Sequence, residues 1–168
     1  MCYSDAHARA TRDPLKRQSV RRQGRPKIMY RLSVDDRSFR EEFEAGRVPP
    51  EAFDHRAHVR LAYIYLAEHA VDTALPLMRN ALRAFIAFNG IPASKYHETL
   101  TRAWILAVHH FMSAAAGAAS ADAFIETHPR LLNPEIMLSH YSGESLFSPE
   151  ARAHFVEPNL DPIPRHGD

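Results

Sequence analysis

A chain of 168 residues with 21 Lys and Arg against 20 Asp and Glu fits one domain, and its near-neutral charge selects no class of partner. Its single cysteine, Cys2, excludes an internal disulfide and any thiolate-rich metal site within one chain. No apolar run is long enough to cross a bilayer, and the opening residues lack the apolar stretch of a signal segment, so the expected setting is cytoplasmic and away from membranes.

The chain divides by composition into three regions. Residues 1–30 are polar and arginine-rich, and KRQSVRRQGRPK at 16–27 reads as a flexible basic arm. Such arms can follow nucleic-acid phosphates, but no zinc module, glycine loop or stacking aromatic accompanies this one, so nucleic acid is not the expected partner. Residues 31–155 carry the helical domain, and 156–168 are proline-rich and expected to be extended, lying over the helices through Val156, Leu160 and Ile163.

Ser33 or Asp35 caps a short helix bearing Phe39 and Phe43 on one face. The first long helix is expected over 50–71, with Pro50 in its opening turn and Glu51 and Asp54 near its positive end. On a wheel of about 100° per residue, His55, His58, Ala62, Tyr65, Leu66 and His69 share one arc. The apolar arc is therefore also the histidine arc. A second helix over 73–89 carries Leu75, Met78, Leu82, Phe85 and Phe88, and Gly90 and Pro92 end it.

A third helix over 94–116 has Leu100, Trp104, Ala107, Val108 and Phe111 on its core face, with His97 and Thr101 near the centre of that face. Shorter helices follow. Ser120 or Asp122 starts one that Pro129 stops, and the pairs Asn133–Pro134 and Ser148–Pro149 are cap-then-first-turn signals for two more. No alternating run long enough for a sheet occurs, so the expected class is all-α: a compact helical bundle with a polar N-terminal arm and an extended C-terminal tail.

Two segments carry the chemical signal. FDHRAH sets His55 and His58 three residues apart on one helical face, where two imidazoles can share an ion. KYHET adds His97 and Glu98. The expected site has His55, His58 and His97 as nitrogen ligands of a divalent zinc, iron, nickel or copper ion, with Glu98 as fourth ligand or as base on a bound water. Tyr65, Tyr96 and Thr101 are candidates for proton donation or orientation, and Arg60, Arg102 and Trp104 for substrate binding. His69, His109 and His110 read as structural or surface residues.

With FDHRAH and KYHET the chain looks like small helical bacterial proteins of uncharacterised function. Over residues 50–116 it more loosely resembles the DinB-like helical bundles, whose wider histidine spacing on one helix is not matched by His55 and His58. That resemblance implies a divalent metal held by three histidines and assigns no substrate.

The function expected from these residues is metal-assisted hydrolysis or non-haem redox chemistry on a small molecule, at a polar pocket between helices 50–71 and 94–116. The alternative is a non-catalytic binding or interaction protein whose buried histidines only form hydrogen bonds, and a third reading is a haem binder with one axial histidine. Large apolar helix faces also allow a homodimer.

Overall fold

The computed structural model describes residues 30–166, and every regular element among them is helical. Apart from Tyr30, the basic arm lies outside the described residues. In chain order the α-helices are α1 (Val34–Glu44), α2 (His55–Glu68), α3 (Val71–Phe88), α4 (Glu98–Ala114), α5 (Ala121–Thr127), α6 (Gly143–Leu146) and α7 (Pro149–Ala153). Short 3₁₀ turns at Pro50–Ala52, Ala93–Lys95, Pro129–Leu132 and Pro134–Ser139 connect them. None of these helices is long and apolar enough to cross a membrane.

Side-chain oxygens set most helix starts, because the first N–H groups of a helix have no partner inside it. Ser33 caps α1 in a full capping box with Asp36. Ser120, Ser142 and Ser148 cap α5, α6 and α7, and Asn133 caps the turn that begins at Pro134. The helix expected from Pro50 starts later. Residues Pro50–Ala52 form a separate 3₁₀ turn, and Asp54 caps α2 by accepting the Ala57 N–H at 2.8 Å.

Helix α4 is central. It packs on α2 and α3 on one side and on α7 on another, and it buries residues on more than one face. Ile105, Val108 and Met112 join the larger core with α2, α3 and the aromatics Phe43, Phe53, Phe85 and Phe124. Ala103, Leu106 and Ala107 join a second core with Met137, Tyr141, Leu146 and Ile163. The expected core face of α4 therefore needs revision. Leu100, Trp104 and Phe111 are only half-buried, whereas Ala103, Ile105 and Val108 are fully buried.

The C-terminal tail is extended as expected and is tied to the second core. Thr99 donates its hydroxyl to the His154 carbonyl at 2.9 Å and accepts the Val156 N–H at 3.0 Å. Ile163 is buried, whereas Leu160 is exposed.

Candidate functional site

A cavity of about 530 Å³ opens where the starts of α2 and α4 meet α3 and the segment 134–147. Its walls are chiefly apolar: Phe53, Met78, Leu82, Leu100, Met137 and Leu146. His55, His58, Tyr96, His97, Thr101 and Trp104 also line it, and exposed Lys95, Glu135, Leu138 and Phe147 stand at its mouth. The pocket between α2 and α4 expected from the two histidine segments is thus present, with a greasier lining than a polar pocket implies.

The first turn of α2 supplies two of these histidines, and their hydrogen bonds determine which nitrogens remain available. His58 Nδ1 lies 2.8 Å from the Asp54 carbonyl, one turn back. A carbonyl only accepts, so Nδ1 carries the hydrogen and Nε2 of the neutral ring carries the lone pair. Phe53 packs against this ring with centroids 4.0 Å apart. Burial pushes the imidazole below its ordinary 6.5, and the bond to Asp54 only partly opposes that shift. His55 Nε2 donates to the Leu131 carbonyl at 2.9 Å, which leaves Nδ1 with the lone pair, and the ring sits edge-on to Trp104 with centroids 4.6 Å apart.

His97 is differently placed. It is the N-cap of α4: Nδ1 accepts the Leu100 N–H at 3.3 Å and Nε2 donates to the Leu146 carbonyl at 2.9 Å. Both nitrogens are occupied by backbone groups, so a metal ion could be ligated only by breaking a helix cap or a tie to α6. Burial first, and then the charge of Arg152, hold this ring below 6.5.

Glu98 does not reach the cavity lining. Its carboxylate receives Arg79 in a two-pronged pair, with Nε to Oε2 at 2.9 Å and Nη2 to Oε1, and it accepts the Tyr96 hydroxyl at 2.8 Å. Arg83 stands 4.0 Å from the same carboxylate and lies over the Tyr96 ring. Burial alone would raise this carboxyl, but the bonds from Arg79 and Tyr96 and the two arginine charges outweigh it and hold it below 4.5. A carboxylate so held is a poor base. These contacts fasten the start of α4 to α3.

The remaining expected site residues separate cleanly. Thr101 lines the cavity, donates to the His97 carbonyl at 2.9 Å and lies within hydrogen-bonding range of the Tyr96 phenol. Trp104 also lines it. Tyr65 is elsewhere, donating to Glu44 at 2.8 Å. Arg60 pairs with buried Asp36, its Nε 3.0 Å from Oδ1, and Arg102 lies over the Phe155 ring. Neither arginine borders the cavity. His69 is exposed at the end of α2, while His109 and His110 are half-buried on α4, with His110 Nδ1 2.7 Å from His166 Nε2.

Among the described residues no three His, Cys, Asp or Glu side chains come together in a way that could hold a metal ion. The donors of the expected three-histidine set are unequal in their hydrogen bonds. His97 has no free nitrogen, Glu98 is held by Arg79, and only His55 and His58 keep a lone pair. The apolar walls from Met78, Leu82, Met137 and Leu146 escaped sequence reasoning, because helical periodicity says which residues are apolar but not which of them face a void. No family model, curated protein or solved structure significantly matches this chain.

Proposed function

We propose that the chain takes a small, largely apolar organic molecule into the α2–α4 cavity, and that His58 accepts a hydrogen bond from it and, from a reactive substrate, a proton. The observation that supports this reading is the state of His58. Its Nδ1–H is fixed on the Asp54 carbonyl, which leaves the lone pair to Nε2, and the residue lines a chiefly apolar cavity of about 530 Å³. That volume suits a small-molecule site, and a few placed polar groups among apolar walls are the usual composition of one. Because burial lowers its pKa, the ring is unprotonated at neutral pH, the form a general base needs. In a catalytic cycle Asp54 would hold the ring in one tautomer while Nε2 takes the proton.

The non-catalytic alternative shares the binding step and lacks turnover. Both are tested by ligand-observed NMR of a library of small neutral aromatic and aliphatic molecules against the full chain and a Leu100→Trp variant that fills the cavity. Binders that disappear with Leu100→Trp support the reading. Binders that ignore it, or none at all, overturn it. Turnover of any such binder that is lost in His58→Phe would establish the enzyme over the binding protein.

A further inference from the structure

The hydrogen bonds made by the polar side chains of the cavity wall specify the ligand more narrowly than its volume does. His58 commits its Nδ1–H to Asp54, and His55 commits its Nε2–H to Leu131. Tyr96 donates its phenolic hydrogen to Glu98, Thr101 donates its hydroxyl hydrogen to the His97 carbonyl, and His97 donates its Nε2–H to Leu146. Asp54 and Glu135 are carboxylates and carry none. The indole N–H of Trp104 and the ammonium of Lys95, exposed at the mouth, are the donors that the lining retains. Beside that one indole N–H, what the polar side chains within the cavity offer a guest is lone pairs, at the His58 and His55 rings and at the Tyr96 and Thr101 oxygens.

From this, and resting on the reading of the cavity as a small-molecule site, we infer that its ligand is a neutral, mainly aromatic hydrogen-bond donor, a phenol or an N–H heteroaromatic, whose acidic hydrogen points at His58 Nε2. Phe53 and Trp104 supply ring surfaces beside the two histidines. A carboxylate or phosphate would bring an anion against these lone pairs and lose its hydration for one indole N–H within and exposed Lys95 at the mouth. An ether of the same shape would leave His58 without a hydrogen to accept.

The test is calorimetric titration of the full chain at neutral pH with three molecules of one shape: β-naphthol, its methyl ether, and β-naphthoate. The expected order places the naphthol roughly tenfold or more ahead of both others, the scale of one well-made hydrogen bond. In His58→Phe, with its helical circular dichroism unchanged, the naphthol should lose that advantage and bind no better than the ether. Equal binding of naphthol and ether by the unaltered chain would overturn the donor requirement and leave the cavity reading standing. Tightest binding of the naphthoate would overturn it in the same way, pointing to Lys95 or a protonated histidine as anchor. Absence of binding by all three would overturn the inference, and the Leu100→Trp library comparison would then decide the cavity reading separately. The comparison of the three ligands needs no variant, so it stands even if His58→Phe fails to fold.

Discussion

The carboxylate of Asp36 accepts the backbone N–H of Ala121 at 3.0 Å, a bond that joins residues 85 positions apart. The same side chain accepts the Ser33 N–H and pairs with Arg60, so one buried group ties the start of α1 to α2 and to the first residue of α5. Burial would raise its pKa, but the Ala121 and Ser33 bonds and Arg60 outweigh that and hold it below 3.8. Removing one partner of such a buried pair leaves the other uncompensated, which costs about 3–5 kcal/mol. Asp36→Ala is expected to lose stability on that scale in urea unfolding, and Asp36→Asn less, since the carboxamide oxygen can still accept from Ala121.

Glu98 separates a structural carboxylate from a catalytic one. Glu98→Gln keeps the shape but weakens the Arg79 pair, so thermal unfolding should occur at a lower temperature. Affinity for a cavity ligand should stay within about twofold, because the carboxylate does not line the cavity. A loss of turnover with unchanged stability would instead return Glu98 to the role of base.

Acid should destabilise the fold in two windows. His58 and His97 both have folded pKa values below the ordinary 6.5. The unfolded chain therefore binds protons first as pH falls, and the stability these rings contribute is complete above 6.5 and is lost below it. Asp36 and Glu98, held below 3.8 and 4.5, add a second loss as pH falls through the carboxylate range. Melting temperature measured against pH should be flat near neutrality, then decline in these two steps. His97→Gln should shrink the first step, and a curve that rises on acidification to pH values just under 6.5 would contradict the assignment.

Gly46 follows α1 with φ of 69°, and a Cβ built there would stand 2.7 Å from the Phe88 ring. Gly46→Ala should cost about 1–2 kcal/mol from backbone strain alone, with the clash adding to it. Pairing it with Phe88→Ala should recover the steric part only. Urea unfolding of the two single variants and the double variant separates the contributions.

Much of the helical frame was legible because it is written locally. Ser33, Ser120, Asn133 and Ser148 sit one residue ahead of the segments they start, and the two helices bearing FDHRAH and KYHET do meet at a cavity. The roles within that cavity were less legible. Histidine is not among the preferred N-caps, so nothing local to KYHET marks His97 as one. Arg60 and Arg102 find their partners Asp36 and Phe155 far along the chain, and wheel positions do not encode such distances. Glu98 suits the first turn of a helix by its charge, and only tertiary packing brings Arg79 and Arg83 to it.

Trp104 is the chain's single tryptophan, and its ring meets His55 edge-on at the cavity wall. The ultraviolet emission of the whole protein thus originates, in its tryptophan band, from one wall of the proposed binding chamber. A guest entering would change the polarity around one indole, so the emission maximum should shift with no background from other indoles. The protein carries its own optical gauge of occupancy, and Trp104→Phe would silence it.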